Sequence, residues 1–295
     1  MSNNHAGSQE LATTGVLAPG RCLWLRAVLW ATLLSAGAFG FFLATLKVPS
    51  ALSLSLNSTY AIFLGSPLLA FVTYAFVVRG AERRTPIEVL PCAQTVADIL
   101  IGAAIGFVML CSTTAMLWAL RLYHVQFNHG SNIISSFLFG PYLSGMFEEL
   151  LFRAILLRIL SRAFGPRWGL ALSAVLFGAA HFGHASWMNV AAIIINGGLV
   201  LGLLYMATGR LWMSIGLHIA WDFTEDFVLG VNRHNGLLLS TRAPCKSGLL
   251  TGGPFGPDGS PLAVIVGILL IVAIRHAWKR GLFRTTQTQQ PWSAS

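Results

Sequence analysis

The chain has 295 residues, of which 10 % are charged and 55 % hydrophobic, with a mean hydropathy of +0.69 and a net charge of +9. A typical soluble protein carries about 25 % charged residues, so this composition excludes a water-facing globular domain. The basic residues sit at the ends of apolar segments rather than in a run interleaved with aromatics, which speaks for membrane topology and against nucleic-acid binding.

Residues 1–26 read as a cytoplasmic tail, disordered over its polar first part. About eight spans follow by the 20-residue criterion: 27–46, 60–78, 98–120, 134–160, 168–183, 187–207, 211–230 and 261–275. The first is too long for a signal-peptide core and suits a first span. Gly140-Pro141 lies inside the fourth and predicts a kink or break, with the helix restarting near Leu143. The expected fold is all-α, a polytopic transmembrane bundle with a catalytic cavity between helices. It divides into N-terminal helices (27–130), a catalytic core (131–230), a Gly/Pro-rich loop (231–260), and a last helix with a basic tail (261–295). The loop is compatible with rigid turns, a lid or disorder.

Thirteen basic residues fall on one side of these spans and five on the other, which predicts cytoplasmic termini. The four cysteines, Cys22, Cys92, Cys111 and Cys245, show no CxxC spacing and read as unpaired thiols.

Three spans carry ionisable groups at helical spacing. Glu148 and Glu149 sit in an otherwise apolar run, where one charged carboxylate costs roughly 2.5–3.5 kcal/mol on insertion scales. Glu149 and Arg153 are four apart and share a helix face, so they can pair. Glu148 is turned about 100° away and is the carboxylate to aim at a cavity. His181 closes the apolar stretch that begins at Trp168, with His184 in the following turn. His218 and Asp222 share a face, and Asp222 is placed to orient the His218 ring. Glu225 and Asp226 read as solvated residues near the interface.

Each group alone is as compatible with a structural ion pair or hydrogen bond as with catalysis. Together they supply what hydrolysis needs. One route is a zinc ion with an open position for water. The other is metal-free, with Glu148 and one histidine activating water while the second histidine and Asp222 stabilise the oxyanion. HExxH and GxSxG are absent.

Glu148-Glu149-x-x-x-Arg153, Phe177-x-x-x-His181 and His218-x-x-x-Asp222 resemble, in order and spacing, the three motifs of the CPBP family. That family holds the CAAX prenyl endoproteases and the Abi or bacteriocin-processing proteins, and the sequence around His218 resembles its bacterial branch. The resemblance implies an intramembrane endopeptidase. Glu148 would be the water-activating base with His181 beside it. His218 and Asp222 would bind metal or form the oxyanion site, and Glu149 and Arg153 would support them. Glu148, His181 and His218 would hold the zinc in the metal-dependent version. Many members carry asparagine where this chain has Asp222, and an ionised aspartate cannot donate a hydrogen bond.

The expected partners are the lipid bilayer and a peptide or membrane-protein substrate, cut near its membrane-proximal end from the cytoplasmic side. The expected place is the bacterial cytoplasmic membrane. The alternatives are a non-catalytic scaffold or bacteriocin self-immunity protein and, behind it, a transporter.

Overall fold

The structure is a computed structural model and describes residues 15–130, 132–182, 187–231, 236–242, 248–253 and 255–283. The helices are α1 (Leu23–Ala51), α2 (Leu56–Glu82), α3 (Thr95–Ala119), α4 (133–164), α5 (Pro166–Ala180), α6 (Trp187–Thr208), α7 (212–228), α8 (Gly248–Thr251) and α9 (Pro261–Lys279). All eight expected spans are helical. Five of them, α1, α2, α3, α6 and α9, are long and apolar enough to cross a membrane on their own.

The other three fall short for local reasons. The α4 segment is interrupted by Glu148, Glu149, Arg153, Arg158 and Arg162, α5 has 15 residues, and α7 has 12 plus a five-residue π turn. Burial separates the roles of the long helices. Only 11 % of the α1 window and 17 % of the α9 window are buried, as lipid-facing helices require, against 67 % for the central α6.

Gly140-Pro141 does not break α4. The chain widens into a π turn over Leu138–Tyr142 and resumes as α-helix at Leu143. The wider turn absorbs the N–H that proline lacks.

Caps follow from sequence. Ser55 accepts from the Ser58 N–H at the start of α2. Asn132 accepts from Ile134 and Ser135 at the start of α4, and Ser260 accepts from Ala263 ahead of Pro261 in α9.

The all-α expectation needs one addition. Tyr123–Phe127 (β1) and Leu238–Arg242 (β2) pair antiparallel, with Val125 opposite Ser240, forming a ribbon across one end of the bundle. Two further expectations change. Residues 15–26 are not a loose tail: Leu17 is fully buried, and the Arg26 guanidinium donates to the carbonyls of Val16 and Ala18. The described part of 231–260 packs back on the bundle. Asn189 of α6 donates to the Gly252 carbonyl, and the Tyr123 hydroxyl donates to that of Thr251.

The seam that positions the site joins α3 to α7. A Cβ at Gly102 or Gly106 would meet the backbone carbonyls of Met213 or Leu217, and one at Gly216 would meet that of Ile99. Only backbone fits there, which is how small residues let membrane helices approach closely.

Buried ion pairs close the end opposite the ribbon. Glu82 accepts two hydrogen bonds of 2.8 Å from Arg158, one of 2.8 Å from Arg84 and one of 2.9 Å from Trp30. Glu88 binds Arg84 and the Tyr74 hydroxyl, and Arg210 of the α6–α7 turn binds Asp98 at 2.8 Å.

Candidate active site

Three helices bring the motif residues together around one cavity. Glu149 is fully buried on α4, where it faces Arg153 one turn on, with Arg153 Nη1 at 3.0 Å from Glu149 Oε1. This contact is an ion pair without hydrogen-bond alignment, since Arg153 Nη1 has no hydrogen-bond acceptor. The same guanidinium donates through Nη2 to the Gly197 carbonyl of α6 and lies 4.5 Å over the Phe177 ring of α5. Arg153 thus ties three helices to one carboxylate.

Glu149 passes that order on. Its Oε1 accepts a 2.8 Å hydrogen bond from His218 Nδ1. An ionised carboxylate only accepts, so the proton sits on Nδ1 and Nε2 faces the cavity. The expectation that Asp222 orients this ring is therefore corrected. Asp222 Oδ2 lies 3.7 Å from His218 Nε2 and instead accepts a 2.6 Å hydrogen bond from the Ser144 hydroxyl of α4.

His181 caps the C-terminus of α5. Its Nδ1 lies 2.9 Å from the Phe177 carbonyl, which can only accept, so Nδ1 carries a proton and Nε2 is the nitrogen turned toward Glu148. Glu148 lies where the two rings meet. Its Oε2 is 4.0 Å from His181 Nε2 and 3.9 Å from His218 Nε2, and that oxygen has no hydrogen-bond partner. The Glu148 and His181 side chains are 26 % and 30 % exposed, while Glu149 and His218 are buried. Adjacent glutamates thus do opposite things: Glu149 anchors inward, and Glu148 stands part-exposed beside the two histidines that border the cavity.

The cavity measures about 140 Å³ and is lined by His181, His218 and Asp222 together with Asn196, Glu225 and Asp258. A volume of this size has room for several waters. Among the described residues, no group of three His, Cys, Asp or Glu side chains is drawn together tightly enough to hold a metal ion.

Sequence reading missed three of the lining residues. Glu225 is buried rather than solvated. Asp258 comes in from the Gly/Pro loop, and its burial beside Asp222 raises its carboxyl to about 7. Asn196 is 6 % exposed, and neither amide atom has a partner. Its one visible signal was a polar side chain in an apolar span. Asn196 and Glu225 both sit on π turns, Ile194–Val200 and Thr224–Val228, and a third π turn, Leu150–Leu157, follows Glu149 directly. Such turns recur at functional sites because they re-aim side chains that a regular helix would point elsewhere. His184 and Cys245 lie outside the described residues.

Residues 129–224 match the family described as type II CAAX prenyl endopeptidase Rce1-like. This stretch is consistent with the CPBP family. All three motifs, from Glu148 to Asp222, lie inside the Rce1-like segment. At family level the match is to a protease. With its five apolar helices, the chain is an integral membrane protein. No curated protein and no solved structure matches it.

Proposed function

We propose that this chain is an intramembrane endopeptidase that hydrolyses peptide bonds of membrane-associated or lipid-modified substrates with a water activated by Glu148. One observation carries the reading: the Nε2 atoms of His181 and His218 converge on a single unpartnered oxygen of Glu148 beside a water-sized cavity.

In this reading a water sits between Glu148 and His181 Nε2, whose lone pair is free because Nδ1 is committed to the Phe177 carbonyl. Glu148 takes the proton as the water attacks the scissile carbonyl, and later delivers it to the leaving amine. His218 in its imidazolium form donates from Nε2 to the developing oxyanion. Glu149 and Arg153 fix that ring without touching substrate. Asp222, already accepting from Ser144, serves as counter-ion to the imidazolium rather than as an oxyanion donor.

A zinc ion would need Glu148, His181 and His218 to draw closer than they stand here, with Glu149 behind His218 as a supporting carboxylate. It would supply Lewis-acid polarisation and an acidified water.

The test is cleavage of membrane-anchored fluorogenic peptides by purified protein in nanodiscs, wild type beside Glu148→Ala, each with and without chelator. Loss of about 10²–10⁴-fold in Glu148→Ala is expected of a general base. Cleavage indifferent to the substitution rejects the site. Wild type inert across the panel moves the weight to a scaffold or immunity role. The chelator arm separates the two chemistries.

A further inference from the structure

The chain passes back and forth between two unlike ends. The start of α1, the end of α2, the turn between α4 and α5, the turn between α6 and α7, and the end of α9 share one end. The β1–β2 ribbon, α8 and the 257–259 turn occupy the other.

The catalytic cavity belongs to the ribbon end. Its lining runs from Leu201 and Leu217 outward through His181 and Glu225 to Phe255 and Asp258 of the loop, and no lining residue comes from the opposite end. That opposite end is shut by the Glu82–Arg158–Arg84–Glu88 network and the Asp98–Arg210 pair, all of them buried or nearly so.

The charge bias distinguishes the ends. Setting aside Arg84, Arg158 and Arg210, whose charge is neutralised by buried carboxylates, nine basic residues remain at the shut end among the described residues against three at the ribbon end, Lys47, Arg121 and Arg242. Lysine and arginine counts set orientation, and acidic residues contribute little.

We infer that the cavity opens on the extracytoplasmic face, so that the substrates are peptide segments presented at the outer surface of the membrane: the outer ends or loops of exported and membrane-inserted chains. This reverses the cytoplasmic access expected from sequence. Two sequence expectations, cytoplasmic termini and a cytoplasmic site, pull against each other in this fold, because the cavity lies at the end opposite the start of α1 and the end of α9. The charge evidence favours keeping the first. The substrate class rests on the peptidase reading; the orientation does not.

The experiment labels cysteines with a membrane-impermeant maleimide in intact cells expressing the full chain. Cys92, exposed at the shut end, is the inner reporter once Cys22, Cys111 and Cys245 are changed to serine. Phe127→Cys, at a ribbon position 95 % exposed, is the outer reporter in a cysteine-free chain, with Trp187→Cys (72 % exposed) as a second in case the first does not fold. The expected result is outer reporters labelled in intact cells and Cys92 labelled only after permeabilisation. The opposite pattern, or labelling of both ends in intact cells, overturns the inference.

A second arm adds an impermeant fluorogenic peptide outside the same cells. Cleavage by wild type and not by Glu148→Ala supports outer access. Outer labelling without any cleavage overturns the substrate class and the peptidase reading together, and leaves the orientation standing.

Discussion

Two clusters of buried charge lie in this bundle, and they are built on opposite plans. At the shut end, the Glu82 and Glu88 carboxylates take hydrogen bonds from Arg84, Arg158, Trp30 and Tyr74 until both oxygens of each are engaged. At the cavity, Glu148 Oε2 and Glu149 Oε2 lack a hydrogen-bond partner, as do both amide atoms of Asn196. A buried polar group left unsatisfied costs about 1–3 kcal/mol. A fold that satisfies one cluster and leaves the other open is holding capacity for a ligand at the second. The saturated cluster reads as structure and the open one as the proposed site.

The sharpest way to break this comparison is to unpair the saturated cluster. Arg158→Ala leaves Glu82 buried with a lost bidentate partner, and removing one member of such a pair costs about 3–5 kcal/mol. Thermal unfolding in detergent should show a large drop, while cleavage per folded molecule stays near wild type. A drop in that specific activity would mean the two clusters are not separable.

Glu149→Gln comes next. It weakens the hold on His218 Nδ1 and leaves the Arg153 charge without its carboxylate. Loss of a carboxylate that orients a site histidine costs about 10–100-fold in activity or metal affinity. The readout is kcat against KM: a change confined to KM would contradict a ring-positioning role.

The pH response should also differ between the clusters. Arg84 holds the buried Glu88 at about 2, below its ordinary 4.5, against the opposing effect of burial. A carboxylate depressed in the folded state stabilises the fold above its ordinary value, and that stability is lost as pH falls through the folded value. Melting temperature should therefore fall between about pH 4.5 and 2, and Glu88→Gln should flatten that limb. Asp258 runs the other way: raised from 3.8 to about 7, it favours the fold at low pH and loses that contribution as pH rises from about 3.8 to 7.

The smallest effect is expected from Ser144→Ala, which deletes the 2.6 Å hydrogen bond that Asp222 accepts from that hydroxyl. A single hydrogen bond of this kind is worth about 0.5–1.5 kcal/mol. A loss as large as that of Glu148→Ala would promote Asp222 from counter-ion to a reacting group.

Much of the fold was legible beforehand because a bilayer simplifies the problem. Every span must satisfy its own backbone, so apolar length alone locates helices. The three motifs were legible for the same reason: charge in lipid is costly, so Glu148, Glu149, His218 and Asp222 stood out. Glu225 was misjudged because its neighbours suggest an interface. Only the return of the Gly/Pro loop over α7, with Asp258 beside it, buries that carboxylate.

Sequence by itself determined the helices, the polar residues they carry and the Glu149–Arg153 pairing, since each follows from local spacing and the cost of charge in an apolar medium. Tertiary structure decided that Glu149 rather than Asp222 holds His218, that Asn196 and Asp258 face the same cavity, and which end of the bundle that cavity joins. Those facts depend on residues far apart in sequence, such as His218 and Glu149, 69 positions apart, and on backbone seams that only assembled helices create. Helical periodicity reports which face a side chain occupies. What stands opposite that face is set by packing.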